Sequence, residues 1–526
     1  MLIIFILIKL VILFTVLILS TLIFKKYIVS DLKPLLMFKT QKALGASIWI
    51  FLVAFSAVLF YQSKLQLWHA SAEYLKNKQV HDLRGWFEEY STLKGGIFDR
   101  RHLPEKQLAK FEQDPQSGVI KRIYPLGPAT FHLLGYSDIN RSRSGLEKDF
   151  LDKLMGRSNG SLAEIINHFK NVWFRMYPKG NDLVLTIDYD LQKYAYELLA
   201  AQKHKGAIVI LEPDNGYVLA MASYPSVDPL SVSNDSLWNV MVKDKKNAPL
   251  LNRAIKGRYP PGSIFKIAIA AAALERRENP KLYCGPEKVK FRGYRKRLGD
   301  HGDTHHGWLK MDEAIKQSCN QYFGQLGVLL TPEIVEQRLA KLGFNQTVEW
   351  NSSSDAFQQD FRIFSSTFPK AVTLDSFRTA WASIGQDQVL VTPMQMALLA
   401  AAVANNGKLP RPCLEIGRWS KSHSQAFSSA TARKLKKMMT AVVEDGGTGY
   451  TARIPGLPMA GKTGTAEVAR GRPHSWFISF APADDPKIAM AVICENSGYG
   501  ASVAAPISKK LYVKAIELGY LEKRAN

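Results

Sequence analysis

The chain has 526 residues, of which 46% are apolar, so it is long enough to bury the cores of two or more domains. This composition excludes a disordered or collagen-like protein. The net charge of +23 favours an anionic surface or an acidic substrate. Lys and Arg are spread along the chain without a basic and aromatic nucleic-acid motif, so we expect no nucleic-acid partner. Four cysteines are too few for a disulfide scaffold.

Residues 1–62 are predicted to form two membrane segments joined by a basic cytoplasmic loop. Leu2 to Phe24 and Ala43 to Phe60 are largely apolar, and each approaches the roughly 20 residues that a bilayer-spanning helix needs. Between them, Lys25 to Lys42 contains five lysines and one aspartate, which predicts a cytoplasmic loop and an exported remainder. A cleaved signal peptide is the alternative for the first segment, but it lacks a basic n-region and an Ala-x-Ala-like site.

Residues 63–180 are mixed and polar, with short apolar runs and no cluster of catalytic residue types. Two segments, Gly95 to Arg100 and Tyr124 to Gly127, have the composition of structural turns. We interpret this region as a non-catalytic pedestal domain of the dimerisation type. The alternative is a segment that only connects its neighbours.

Residues 181–526 are predicted to form an α+β domain. Gly206 to Leu211 and Gly216 to Ser223 flank an Asn-Gly turn, which predicts a β-hairpin. Near the C-terminus, three short apolar strands separated by turns precede a closing helix: Met459 to Val468, Ser475 to Ala481, Lys487 to Glu495 and Ala504 to Gly519. We expect these strands and the hairpin to form one antiparallel sheet, with the long helical middle on one face.

Ser263 is the candidate nucleophile. It follows Tyr259-Pro260-Pro261-Gly262, which cannot lie inside a helix, and it precedes an Ala- and Ile-rich run that favours one. Lys266 lies one turn further along the same face, so a hydroxyl and an amine are neighbours near a helix N-terminus. The pattern Ser-x-x-Lys occurs three times, at Ser30, Ser91 and Ser263, so the pattern alone is weak evidence.

Two further motifs follow Ser263 in order, Ser318-Cys319-Asn320 and Lys462-Thr463-Gly464, and each pattern occurs once. With this order, the chain resembles the class B penicillin-binding proteins, the D,D-transpeptidases of peptidoglycan synthesis, in particular the elongation-type penicillin-binding protein 2 family. The resemblance extends from about Gly95 to the end. It includes Gly96 to Arg100, Gly145 to Glu147, Gly206 to Pro229, Gly385 to Gln386, Val391 to Ala397, Ala404 to Gly407 and Gly446 to Gly449.

The resemblance implies a penicillin-binding, serine-β-lactamase-like fold and an acyl-enzyme on Ser263. Lys266 would accept the proton of Ser263, with its pKa lowered by burial and by the nearby Lys462. Ser318 would relay a proton to the leaving amine, and Asn320 would hold Lys266 and the substrate backbone. The backbone N–H groups of Ser263 and Thr465 would form the oxyanion hole.

The same resemblance assigns the substrate-binding residues. Lys462, Thr463 and Thr465 would bind the terminal carboxylate of a D-Ala-D-Ala stem, and Gly464 would let the substrate approach the strand closely. β-Lactams would acylate Ser263, and a D,D-carboxypeptidase side activity is implied. No cofactor is required for this chemistry.

A structural zinc site is a second expectation. Some elongation-type members hold zinc with two aspartates, a histidine and the cysteine within the second motif, and Asp300, His306 and Cys319 match three of these positions. Cys284 is close to the fourth, and Asp303 or His305 are alternatives. A solvated polar loop, two unrelated thiols or a disulfide would account for the same residues without a metal.

The resemblance also implies a setting. The catalytic domain would lie on the outer side of the cytoplasmic membrane, act on lipid-linked or nascent peptidoglycan stem peptides, and work with a SEDS-type glycosyltransferase in the membrane. Two alternatives share the fold or the setting: a β-lactamase-type hydrolase, and a non-catalytic penicillin sensor or scaffold. For the first, no base that would activate a deacylating water is identifiable. For the second, the loop Lys25 to Lys42 is too small to be an effector domain.

Overall fold

The computed structural model describes residues 93–113, 120–138, 141–156, 180–352, 361–418 and 424–524, together with parts of a helix between 50 and 61. The chain divides into two compact units, 1–88 and 89–526. In the first unit, Ile50, Phe51 and Phe55 are helical and expose their side chains. None of the described helices combines the length and the apolar composition needed to cross a bilayer. The predicted segment Leu2 to Phe24, the basic loop and most of Ala43 to Phe60 lie outside the described residues.

The second unit contains the strands that organise the molecule. They are β1 (Ile97–Phe98), β2 (Gln107–Gln113), β3 (Ile120–Ile123), β4 (Ser137–Asp138), β5 (Ser142–Arg143), β6 (Leu183–Val184), β7 (Gly206–Leu211), β8 (Val218–Tyr224), β9 (Leu282–Cys284), β10 (Gly307–Leu309), β11 (Lys408–Leu409), β12 (Ser424–Gln425), β13 (Ala460–Ala466), β14 (His474–Ala481) and β15 (Ile488–Cys494). The main sheet has five strands in the order β13-β14-β15-β7-β8, and every neighbouring pair is antiparallel. The predicted antiparallel sheet is therefore confirmed.

The helices described in this unit are α1 (Phe131–Leu134), α2 (Gly145–Asp149), α3 (Leu151–Leu154), α4 (Tyr189–Ala201), α5 (Asp235–Lys243), α6 (Lys266–Glu275), α7 (Met311–Gln317), α8 (Asn320–Leu330), α9 (Pro332–Ala340), α10 (Ser376–Ser383), α11 (Pro393–Ala404), α12 (Ser429–Val443) and α13 (Ala504–Glu517). Helices cover both faces of the main sheet. Successive residues of β7 alternate between two cores, since Val209 packs in the core that contains α6 and α11 whereas Ile208 packs in the core that contains α4 and α13. Both faces are buried, which explains why β7 is a continuous apolar run rather than an alternating one.

The segment Leu183 to Asp188, which has a strand-like sequence, forms only a short strand. Its β6 pairs in parallel with β1, in a four-stranded sheet of order β3-β2-β1-β6. This sheet therefore contains residues from both sides of position 180. The pedestal as a separate domain, and the boundaries at 62 and 180, stay predictions.

A buried ion pair joins segments of the predicted pedestal. Arg122 Nε donates to Glu147 Oε1 at 2.7 Å, Arg122 Nη1 donates to the Gly95 carbonyl oxygen at 2.9 Å, and Tyr124 OH donates to Glu147 Oε1 at 3.3 Å. The Glu147 carboxylate is fully buried. The two predicted turns and the Gly145 to Glu147 segment thus meet at one ion pair, the Gly95 turn at the guanidinium and the Tyr124 turn at the carboxylate. Because a buried charge without its partner is costly, Arg122 and Glu147 stabilise this region only when both are present.

We predict that Glu147→Ala lowers the stability of the chain by about 3–5 kcal/mol, because it leaves the buried Arg122 guanidinium without its partner. The matched control is Glu197→Ala, which removes a pair between Lys193 and Glu197 whose side chains are 54% and 55% exposed. The control should cost less than about 1 kcal/mol. Thermal and urea unfolding of both variants provide the measurement, and equal destabilisation would contradict the assignment.

Candidate active site

The turn before α6 fixes the position of Ser263. Gly262 has a φ of +57°, and its N–H donates to the Gly385 carbonyl oxygen at 2.9 Å. A Cβ on Gly262 would lie 2.6 Å from the Thr465 carbonyl oxygen. Glycine is therefore required at this position because of the positive φ and because the backbone of β13 approaches so closely. Residues Gly262–Phe265 form a 3-10 helix that leads directly into α6, so Ser263 lies against β13 with its side chain partly exposed.

Lys266 is fully buried beneath this turn. Its Nζ donates to the Ser318 carbonyl oxygen at 2.6 Å and to Asn320 Oδ1 at 2.7 Å, and it lies 3.5 Å from Ser318 Oγ. Burial lowers the pKa of Lys266 to about 8, and the nearby Asp300 carboxylate opposes this shift. The amine is thus available in its neutral form near neutral pH, which a general base requires.

Ser318 lies in the sharp turn between α7 and α8. Its backbone is left-handed, with φ 58° and ψ 37°, a conformation that costs a non-glycine residue about 1 kcal/mol or more. The Ser318 N–H donates to the Ile315 carbonyl oxygen and the Cys319 N–H donates to that of Ala314, so the turn closes α7 with its backbone groups paired. α8 then begins at Asn320. The side chains of Ser318 and Asn320 both line the cleft, whereas Cys319 is buried.

Lys462 approaches Ser318 from the opposite side, on β13. Its Nζ donates to Ser318 Oγ at 2.7 Å and to the Thr463 carbonyl oxygen at 3.1 Å. Burial and the nearby Lys266 ammonium lower the pKa of Lys462 well below its usual value. The sequence analysis expects burial and the nearby Lys462 to lower the pKa of Lys266. In the structure burial does lower the pKa of Lys266, whereas the repulsion between the two lysines lowers the pKa of Lys462.

β13 forms the opposite wall at the edge of the main sheet. Thr463 Oγ1 and Thr448 Oγ1 lie 2.9 Å apart, and Thr465 Oγ1 accepts from the Gly500 N–H at 3.4 Å. A Cβ on Gly464 would lie 2.9 Å from both Ile264 Cγ2 and Trp476 Cβ. Glycine at this position therefore lets β13 pack against the serine turn, and its predicted role of admitting the substrate stays a prediction.

The predicted residues surround one cleft of about 690 Å³. Ser263, Ser318, Asn320, Thr463 and Thr465 line it, while Lys266 and Lys462 lie beneath them. Several other lining residues have no signal in the sequence, because they come from helices and loops without a motif: Trp381, Ile384, Tyr499 and Glu467. Thr448 also lines the cleft, and only the resemblance of its segment to the family points to it.

The predicted metal ligands are brought together in part. One donor atom each of Asp300, His306 and Cys319 lies within 4.8 Å of the other two. Cys319 Sγ donates to Asp300 Oδ2 at 3.2 Å, and His306 Nδ1 lies 3.3 Å from the same oxygen without a hydrogen bond. Cys284 is buried and free, and it contacts Cys319, but it is not a member of this group of three. His305 also lies outside the group, and the side chain of Asp303 is not among those that the structure describes.

This donor set fits zinc. Nitrogen, thiolate and carboxylate donors are the types that zinc binds in tetrahedral sites. The buried His306 Nδ1 has no hydrogen-bond partner within the described residues, which is unusual unless another atom binds it. Hydrogen bonding to Cys284, burial and the Asp300 charge raise the pKa of the Cys319 thiol. A divalent cation would reverse that shift.

Comparison with known proteins decides the family. Residues 206–513 match the model of the penicillin binding protein transpeptidase domain. The chain belongs to this family. The resemblance inferred from the three motifs is therefore confirmed, and with it the serine acyltransferase type of enzyme.

The similarity extends well beyond the matched domain. The chain is 30% identical over 432 residues to the peptidoglycan D,D-transpeptidase PbpA of Mycolicibacterium smegmatis, covering 76% of this chain and 84% of the relative. It is 30% identical over 482 residues to the peptidoglycan D,D-transpeptidase MrdA of Acinetobacter baumannii, covering 78% and 69%. The imipenem acyl-enzyme complex of penicillin-binding protein A from M. tuberculosis aligns with a TM-score of 0.70 and 28% identity, covering 81% of this chain and 100% of that one.

Proposed function

We propose that this chain is a peptidoglycan D,D-transpeptidase that cross-links stem peptides through an acyl-enzyme on Ser263 and is inhibited covalently by β-lactams. The observation that carries the proposal is the pair of buried lysines on either side of Ser318, next to a serine at the start of a helix in an open cleft. PbpA and MrdA, relatives with this activity in their names, support it.

Acylation uses groups that are already in place. Ser263 Oγ attacks the carbonyl carbon of the penultimate D-alanine, and its proton passes to neutral Lys266 Nζ. The backbone N–H groups of Ser263 and Thr465 donate to the developing oxyanion; a donor of this kind is typically worth about 3–4 kcal/mol. The peptide bond then breaks, and the departing amine of D-alanine takes a proton from Ser318 Oγ, which Lys462 Nζ replaces. The acceptor amine reverses these transfers and releases Ser263.

Substrate binding sets the protonation states. Lys266 and Lys462 both contact one hydroxyl in a buried site, so the charge of one disfavours the charge of the other. A terminal carboxylate bound by Lys462, Thr463 and Thr465 favours the proton on Lys462. Lys266 then stays neutral as the base. The same carboxylate thus orients the donor and selects the reactive protonation state.

The edge of β13 is suited to an extended peptide. Within the described residues β13 is an edge strand that pairs with β14 alone, and its Thr463 and Thr465 line the cleft. An extended donor strand can pair with such an edge, as in other cases of strand addition. The bond to be broken would then lie between β13 and Ser263.

We infer that zinc, when bound by Asp300, His306 and Cys319, acts as a structural cross-link; Cys284 is the nearest further thiol. It would hold the loop before β10 to the start of α8. The chain's own residues already make part of this link, since the Asn320 N–H donates to Asp300 Oδ1 and the Gln321 N–H lies 3.4 Å from it. No proton transfer depends on the ion.

We infer that the cleft works on the outer side of the cytoplasmic membrane. The two apolar segments and the lysine-rich loop between them support this placement. A SEDS-type glycosyltransferase in the same membrane would supply the nascent glycan strand to which the stem peptides are attached. The class B resemblance supports this partner, because residues 1–180 contain no glycosyltransferase motif.

We predict that Ser263→Ala abolishes covalent labelling by a fluorescent penicillin and the release of D-alanine from a D-Ala-D-Ala peptide, since the substitution removes the nucleophilic oxygen. The matched control is Ser91→Ala, which alters another Ser-x-x-Lys copy and should keep both activities. Melting temperatures verify that both variants fold. Labelling retained in Ser263→Ala would refute the assignment, and rapid repeated hydrolysis of nitrocefin by the unaltered chain would favour the β-lactamase alternative.

We predict that the rate constant for acylation by benzylpenicillin rises with pH and levels off above about 8. The pKa of Lys266 is lowered to about 8, so the neutral base is lost as the pH falls below that value. The rate should change about tenfold per pH unit well below 8. Stopped-flow measurements between pH 6 and 9, with melting temperatures at each pH as the control, provide the measurement. A flat profile would exclude Lys266 as the titrating base.

We predict one zinc ion per purified chain, lost in Cys319→Ser, because the thiolate is a strong zinc ligand. Metal analysis by mass spectrometry gives a readout independent of activity. The matched control is Cys413→Ser, a buried cysteine outside the cluster, which should retain zinc. The proposal would be refuted if the purified chain contained no zinc, or if Cys319→Ser retained it.

A further inference from the structure

The rim of the cleft includes a basic loop that catalysis, as proposed above, does not use. We define the basic loop as Lys288 to Arg297. Its ends are closed where Val289 and Leu298 exchange both backbone hydrogen bonds, at 2.8 and 3.0 Å. Residues 285–299 contain one acidic residue, Glu287, and six basic ones, all exposed: Lys288, Lys290, Arg292, Arg295, Lys296 and Arg297.

Aromatic contacts hold the basic loop against α10. The rings of Tyr294 and Phe377 are stacked, with centroids 4.0 Å apart and planes at 6°, and Phe291 meets Phe377 edge-on at 5.6 Å. Lys296 Nζ lies 3.9 Å from the centroid of the Trp381 ring. These contacts fix the path of the loop beside α10.

The loop leads directly into the cleft. Leu298 and Gly299, which follow it, line the cleft together with Trp381 of α10. Trp381 Nε1 is buried and has no hydrogen-bond partner among the described residues. The basic loop therefore lies beside residues that line the cleft.

Lys290 of the loop pairs with Glu287 at 3.5 Å, but three of its arginines have no such partner among the described residues. Within the described part of the chain, no ion pair involves Arg292, Arg295 or Arg297, whereas Arg378 on the adjacent helix pairs with Asp387 at 3.0 Å. Guanidinium groups bind carboxylates through two parallel hydrogen bonds, which makes arginine the preferred residue for this recognition. The surface thus suits a ligand that carries carboxylates and also a peptide backbone.

We propose that the basic loop binds carboxylate groups of a stem-peptide strand that enters the cleft across Leu298 and Gly299, so that acidic peptides are preferred over neutral ones. The inference rests on the proposed transpeptidase function and names the substrate class of that site. Because Leu298 and Gly299, which follow the loop, line the cleft, a peptide bound in the cleft passes close to these cations. This position favours a peptide ligand over an anionic membrane surface.

The test compares two double variants of the full chain. Arg295→Gln/Arg297→Gln removes two charges from the basic loop. Lys509→Gln/Lys510→Gln removes two exposed charges from α13, which packs on the other face of the main sheet. The substrates are two synthetic peptides ending in D-Ala-D-Ala that differ only in a glutamate or a glutamine upstream of that end. Melting temperatures verify folding.

The loop variant should lose about fivefold in kcat/KM for the acidic peptide, because exposed ion pairs contribute modestly. The neutral peptide and acylation by benzylpenicillin should change less than about twofold, and the α13 variant should behave like the unaltered chain. In the unaltered chain, the preference for the acidic peptide should decrease as the ionic strength rises from about 0.05 to 0.3 M.

Fluorescence anisotropy measures the binding of both peptides to the Ser263→Ala chain, with and without the loop substitutions. This measurement tests the loop without turnover of the substrate. A fivefold loss of binding that is confined to the acidic peptide would support the proposed role of the basic loop. If the unaltered chain released no D-alanine, that result would contradict the proposed function and leave the binding result for the loop unaffected. Equal losses for both peptides, or no loss, would overturn the inference. So would a loop variant that loses binding only to vesicles containing anionic lipid.

Discussion

The active site depends on two lysine amines buried around one serine hydroxyl. Lys266 and Lys462 are both fully buried, and Ser318 Oγ lies 3.5 Å from one amine and 2.7 Å from the other. Two charged ammonium groups in so small a buried space repel each other. The site therefore favours protonation states in which the two amines are not both charged. Desolvation, which usually opposes the burial of lysine, here lowers the pKa of both amines and so favours the neutral form that the proposed mechanism needs.

This constraint explains why the site is assembled from distant parts of the chain. α6 carries Lys266, β13 carries Lys462, and the turn between α7 and α8 carries Ser318. Each element is held by contacts that leave little freedom: Gly262 and Gly464 allow the serine turn and β13 to meet at backbone distance. The amines therefore converge on the hydroxyl because the packing of the sheet and of α6 leaves them no other arrangement.

The sequence predicted the parts of this arrangement that carry local signals. Alternating turns and apolar runs indicated the antiparallel sheet, and the Pro-Pro-Gly start of an alanine-rich helix indicated the position of Ser263. It did not predict that Leu183 and Val184 would pair with β1, because a two-residue pairing has no periodicity. Nor did it predict the roles of Trp381 or of Gly464, because both arise from contacts between elements far apart in sequence.

The left-handed turn at Ser318 links the catalytic residues to the buried cluster behind them. A non-glycine residue at φ 58° is held there only if its surroundings compensate the cost. Asp300 supplies part of this compensation, because it accepts from the Asn320 N–H and from Cys319 Sγ on the two residues that follow Ser318. Asn320 in turn accepts from Lys266 Nζ at 2.7 Å. Any change at Asp300, including the binding of a cation, therefore acts on Lys266 in two ways, directly through the charge of the carboxylate and indirectly through Asn320.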